Sequence, residues 1–132
     1  MIYSIGQLSK KTNCKVPTIR YYEEIGLLDK AQRSAGNQRQ YTDHQYQSLQ
    51  FICHCRSLGF SLEEVRELLH LRHCQKHKKH QADDIVEHHL KEVRQKIEQL
   101  QSLEEELLTM VHNCKTSESE DCLVLKSLNQ QI

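Results

Sequence analysis

Apolar residues recur along this chain with a helical period, in blocks set apart by short polar breaks. Ile2, Ile5 and Leu8, with the aliphatic part of Lys11, mark one face of a first helix over about Ser4–Thr12, which Ser4 is placed to cap. Asn13-Cys14-Lys15 interrupts the pattern. Pro17 is tolerated in a first helical turn, where its missing N–H is not needed, so a second helix is expected from Val16 to about Gly26, with Ile19, Tyr22 and Ile25 facing inward. Helix, tight turn and helix at this spacing predict a helix-turn-helix. Tyr46, Leu49, Ile52, Cys53, Arg56 and Leu58 mark one side of a third helix that starts at Thr42-Asp43 and stops at Gly59. Ser61-Leu62-Glu63-Glu64 has the Ser-x-x-Glu form of a capping box and opens a fourth, through Val65, Leu68, Leu69 and Leu71.

The longest block runs from Asp83 to His112. Val86, Leu90, Val93, Ile97, Leu100, Leu107 and Val111 step by four and three with one gap at Glu104, and neither Gly nor Pro intervenes. This is a heptad seam on one long helix, a rod on the order of 45 Å. Its remaining faces are charged, so a single apolar stripe is left to bury, and the residues before it are too few to cover such a rod. A second copy of the chain is the expected partner. After the rod, Leu123-Val124-Leu125-Lys126-Ser127-Leu128 can form one short amphipathic helix.

Composition narrows the class. With four Gly, one Pro and no Trp in 132 residues, and without Gly-rich phosphate loops or strand-rich segments, the chain reads as an all-α protein and not as an enzyme scaffold. Formal charge is zero overall, yet residues 1–60 hold eight Lys/Arg against four Asp/Glu, and residues 61–132 ten against fourteen, a split of +4 and −4. A basic head on a neutral chain points to nucleic acid at that end. Met1-Ile2-Tyr3-Ser4 runs directly into an amphipathic helix and no apolar stretch is long enough to cross a bilayer, so a cytoplasmic protein without a membrane partner is expected.

Charge and aromatic residues also locate the nucleic-acid contacts. Thr18, Arg20 and Tyr21 lie toward the start of the second helix, where hydroxyl, guanidinium and phenol groups can meet base edges and phosphates. The polar segment from Lys30 to Tyr41 turns at Gly36-Asn37 and carries three cations and no acid. It reads as a wing, a short hairpin or loop laying Arg33, Arg39 and Tyr41 along the phosphate backbone, or else as a solvated loop.

The other chemistry is sulfur and imidazole. Six cysteines in a reducing compartment are better read as core residues or metal ligands than as a disulfide framework. Cys53 and Cys55 are two apart on a helix, a poor chelate, and core packing suits them better. Cys114 and Cys122 flank the polar loop after the rod, which can fold both thiolates onto one soft ion. Cys74 is the natural third sulfur, beside a run of histidines that includes His77 and His80; His112 is a further nitrogen. Cys74 lies before the rod and Cys114 after it, so the two can share an ion only if two rods lie antiparallel. His88 and His89 could add a site with Glu87 or Asp84, although adjacent histidines on a rod surface are ordinarily solvated.

Taken in order, Ile5-Gly6-Gln7-Leu8-Ser9, Thr18-Ile19-Arg20-Tyr21-Tyr22-Glu23 with Gly26-Leu27-Leu28, Asn37-Gln38-Arg39-Gln40-Tyr41, and Arg56-Ser57-Leu58-Gly59-Phe60-Ser61-Leu62-Glu63-Glu64-Val65 resemble the MerR family of transcription regulators. The resemblance implies a winged helix-turn-helix head over residues 1–72, a connecting loop over 73–81, a dimerisation helix over 82–112 forming an antiparallel coiled coil, and a metal-binding loop with a short terminal helix over 113–132. It places DNA contacts on Thr18, Arg20, Tyr21, Arg39 and Tyr41. It further implies a homodimer on a palindromic promoter operator beside RNA polymerase, distorting an over-long spacer and activating metal-resistance or efflux genes when cadmium, lead or zinc binds at the dimer interface.

The sequence departs from that pattern in one respect. Cadmium-, lead- and zinc-responsive relatives carry the third cysteine in the first turn of the long helix, near Lys79 or His80 here, and Cys74 lies several residues earlier. Either the loop brings Cys74 back, or His77, His80 or His112 replaces it. Copper-responsive relatives need only the two loop cysteines, which keeps Cu(I) open. A metal-buffering protein, and a thiol-redox or small-molecule sensor, are the other classes that use the same residues.

Overall fold

The computed structural model describes residues 1–73, 79–116 and 122–129. Contacts divide the chain into two units, Met1–Ile85 and Val86–Ile132.

The first unit begins with a two-residue strand, β1 (Ile2–Tyr3), followed by α1 (Ile5–Thr12) and α2 (Val16–Glu24). Ser4 caps α1 reciprocally with Gln7: the Gln7 N–H donates to Ser4 Oγ at 3.2 Å and the Ser4 N–H to Gln7 Oε1 at 2.9 Å. Asn13, with φ 58°, ends α1 in the left-handed conformation that Asn tolerates, and Pro17 sits in the first turn of α2 as expected. At the far end of α2, Gly26 takes φ 77°, and the Leu27 and Leu28 N–H groups fold back onto the Tyr22 carbonyl at 2.9 and 3.1 Å.

The wing is a hairpin of β2 (Gln32–Arg33) and β3 (Arg39–Thr42), paired Gln32 with Gln40 and Arg33 with Arg39. β3 also pairs with β1, Tyr3 opposite Tyr41, giving a three-stranded sheet in the order β1-β3-β2. The fold is helical as expected, with this sheet added. β1 escaped the periodicity because two residues are too short to show one: Tyr3 is buried, while Ile2, assigned above to the inner face of the first helix, points to solvent.

Thr42 closes β3 and caps α3 (Asp43–Ser57) reciprocally with Gln45. The Ser61–Glu64 box, at 2.9 and 3.1 Å, opens α4 (Leu62–His73) as its sequence form requires. Leu8, Ile19, Leu28, Tyr41, Leu49, Ile52 and Val65, drawn from all of these layers, are wholly enclosed. Each aliphatic one contributes about 1.5–3 kcal/mol by leaving water. Ile85, at the end of the unit, packs against this core.

The long helix, α5 (Lys79–Thr116), exceeds the expected 82–112 at both ends. Its 38 residues rise by about 57 Å. In the second unit Val86, Leu90, Ile97, Leu100, Leu107 and Val111 remain 44–65% exposed, so the apolar stripe is present and unburied within one chain. α6 (Leu123–Asn129) lies against the last turns of α5 around a 450 Å³ concavity lined by Glu106, Thr109, Met110 and Asn113 on one side and Leu123, Lys126 and Ser127 on the other.

Candidate nucleic-acid interface and metal-ligand residues

The head gathers its cations between α2 and the wing. Burial of Ile19 and Tyr22 fixes the rotation of α2, and this leaves Arg20 and Tyr21 exposed and Thr18 half-buried. The wing turn is held by hydrogen bonds from the Ser34 N–H to the Gln38 carbonyl at 2.8 Å and from Arg33 Nη1 to the Asn37 carbonyl at 3.0 Å. Arg20, Arg33 and Arg39 together line two neighbouring concavities of 560 and 400 Å³, one completed by Ser4, Asn37 and Gln38, the other by Glu23, Glu24 and Lys30. Three guanidinium groups on a helix and a hairpin are donors of the kind that can hold successive phosphates.

Tyr41 does not belong to this surface. Expected on the phosphate backbone, it is fully buried, and its hydroxyl donates to the Glu23 carboxylate, itself only 8% exposed. Burial, with the hydrogen bond to Glu23 next in weight, raises the Tyr41 pKa well above the usual phenol value. An aromatic residue in a basic hairpin looks the same in sequence whether it points out or in; its pairing with Tyr3 turns it in. The spacing carries a signal for Glu23 as well: Ile19, Tyr22 and Glu23 stand at i, i+3 and i+4 on one helix face.

Arg66, on α4, makes a further contact, one that the sequence does not signal. Its Nη2 donates to the Ile25 carbonyl at 2.9 Å and so closes the carboxyl end of α2. No local signal marks it, because its partners are about forty residues away.

The head cysteines are structural. Cys14 and Cys55 are buried and Cys53 is half-buried. Burial, and after it the neighbouring Cys14 thiol, pushes Cys53 up to about 12, which removes it from thiolate chemistry near neutral pH.

The expected metal ligands fall as follows. Cys74 and His77 lie outside the described residues. Cys114, expected in the terminal loop, belongs to the last turn of α5, since nothing in Asn113-Cys114-Lys115-Thr116 breaks a helix. Cys122 is exposed immediately before α6. His80, in the first turn of α5, and His112, near its end, are exposed. On the mid-helix surface His88 Nε2 lies 3.1 Å from Glu92 Oε1. Among the described residues, no three His, Cys, Asp or Glu side chains converge on one point suited to an ion. Nor, among them, is any helix long and apolar enough to cross a membrane.

Comparison with known proteins bears directly on this geometry. Residues 3–71 match the MerR HTH family regulatory protein model, and residues 46–110 the MerR DNA-binding model. The HTH-type transcriptional regulator ZntR of Escherichia coli is 38% identical, over 98% of this chain and 94% of its own. A ZntR homolog of Haemophilus influenzae is 41% identical, over 80% of this chain and 78% of its own. Among solved structures, the transcription regulator PbrR691 of Ralstonia metallidurans, in complex with lead(II), superposes with a TM-score of 0.79 at 39% identity, covering 96% of this chain and 98% of that one. The winged head, the long helix and these matches agree that the chain belongs to the MerR family of helix-turn-helix regulatory proteins.

Proposed function

We propose that the chain is a metal-responsive transcription regulator that acts as a homodimer on a palindromic promoter operator. The apolar stripe of α5, exposed at Val86, Leu90, Ile97, Leu100, Leu107 and Val111 and ending three residues before Cys114, carries this reading. A second α5 laid antiparallel covers the stripe and brings the start of one helix beside the end of the other. Cys74 precedes Lys79 by five positions, a reach of at most about 18 Å against about 57 Å of helix, so it meets Cys114 only across the dimer. The two heads then take the two operator halves, with Arg20, Arg33 and Arg39 on phosphates and Thr18 and Tyr21 toward bases.

Cys114, in the last turn of α5, and Cys122, exposed immediately before α6, are eight positions apart and offer two thiolates to a soft ion. Cys74 of the partner subunit, or an imidazole from His77, His80 or His112, completes a site for cadmium, lead or zinc. The similar PbrR691 was crystallised with lead(II), which supports the divalent reading. Metal entry then alters the DNA geometry set by the bound dimer, and RNA polymerase at the same promoter transcribes metal-resistance or efflux genes. One observation favours Cu(I) instead: Lys79 is the first residue of α5, where the divalent sensors are expected to carry their third cysteine.

Anaerobic titration with Cd(II), Pb(II), Zn(II) and Cu(I), followed by thiolate-to-metal charge-transfer absorption, tests this. The expected result is saturable absorption that disappears in Cys114→Ser and in Cys122→Ser. Silence for every ion would leave a DNA-binding protein that senses something else. If Cys74→Ser retains full absorption, the site is a two-cysteine copper site or takes a histidine.

A further inference from the structure

The head holds a second group of metal-ligating side chains that none of this uses. A 240 Å³ pocket in the first unit is lined by three imidazoles and one carboxylate from three segments of the chain: Asp29 after α2, His44 on α3, and His70 and His73 on α4. His70 and His73 are three positions apart and so share a face of α4. The His44 and His73 rings lie 5.2 Å apart with their planes at 47°. A tetrahedral ion bound about 2.0 Å from one nitrogen of each of two imidazoles puts the ring centres about 5 Å apart. Ring packing alone accepts the same distance; a third imidazole and a carboxylate around the same cavity are not needed for packing. The one cation on the lining, Arg66, already donates to the Ile25 carbonyl at 2.9 Å.

We propose that this pocket is a divalent-metal site of nitrogen and oxygen donors, separate from the thiolate site, for an ion of the zinc or nickel kind. His44 and His73, with ring centres 5.2 Å apart, supply two donors at a separation that a shared ion accepts. His70 and Asp29, on the same cavity, supply a third and fourth donor by side-chain rotation, since no three donors converge as the side chains stand. Imidazole and carboxylate without sulfur suit zinc, nickel and cobalt(II) better than lead or Cu(I). An ion here joins α3 to the last turn of α4.

The test uses the full-length protein carrying Cys74→Ser, Cys114→Ser and Cys122→Ser, so that the thiolate site is absent and the two sites cannot be confused. Zinc is measured by equilibrium dialysis, and cobalt(II) by its visible absorption. One ion per subunit is expected, with cobalt bands of nitrogen/oxygen coordination. His44→Ala and His73→Ala should each weaken binding at least tenfold; both residues are exposed, and circular dichroism of each variant confirms that the head stays folded. Absence of a bound ion, or unchanged affinity in both variants, overturns the proposal.

Discussion

The hydroxyl of Tyr41, on the wing, donates to the carboxylate of Glu23, on α2, and both groups are enclosed by the head. This bond ties the two elements that carry Arg20 and Arg39, so the spacing of the guanidinium groups depends on it. Tyr41→Phe leaves the Glu23 carboxylate buried without its donor, which costs about 1–3 kcal/mol. Urea denaturation should show that loss, and operator affinity should fall although the variant changes no DNA-facing atom. A phenylalanine variant with unchanged stability and affinity would show that the bond holds nothing in place.

Arg20, Arg33 and Arg39 line the concavities between helix and wing, and the proposed phosphate contacts are sensitive to salt. Each Arg→Ala substitution should reduce the slope of log affinity against log salt by about one. Fluorescence anisotropy at several salt concentrations reads this directly. An unaltered slope removes that arginine from the phosphate grip.

Thiol reactivity should divide the cysteines by position. Cys122, exposed, should be alkylated readily in the metal-free native protein at pH 8, whereas Cys14, Cys53 and Cys55 should react only after denaturation. Cys53 also gives the head a stability slope in alkali. An ordinary thiol ionises near 9 and the folded one at about 12, so the contribution is complete below pH 9 and is lost as pH rises from 9 toward 12. A Cys53→Ala variant should lack that slope, as thermal melts across this range would show.

The proposed sharing of the metal site between two chains can be tested with mixed dimers. One subunit carries Cys74→Ser, and its partner carries Cys114→Ser and Cys122→Ser. A shared site leaves one complete ligand set per mixed dimer and half the charge-transfer absorption of the parent. A three-cysteine site within one chain leaves none, and loss of absorption in the Cys74→Ser homodimer first shows that Cys74 is needed.

The helices of the head were readable because their signals are local. Ser4, Pro17 and the Ser61–Glu64 box act within one turn, and Ile19 and Tyr22 lie at helical spacing. What escaped depends on distant partners. β1 exists because β3 pairs with it, about forty residues on, and the same pairing buries Tyr41. Arg66 matters through carbonyls at the end of another helix, and His44 meets His73 across two helices. The ends of α5 were underestimated for a different reason: Lys79-His80-Gln81 and Asn113-Cys114-Lys115 carry no apolar stripe, yet contain no residue that stops a helix. Cys114 consequently belongs to the helix and not to the loop.

The most direct measurement of the proposed regulation takes one operator duplex, selected by the protein from random sequence, and records binding and DNA distortion in the same titration. Fluorescent labels at the duplex ends report distortion for the metal-free and the metal-loaded dimer. The expected result is binding in both states, with affinities within a few-fold of each other, and a change in end-to-end distance on adding the ion. A large gain in affinity with no change in distance would contradict it.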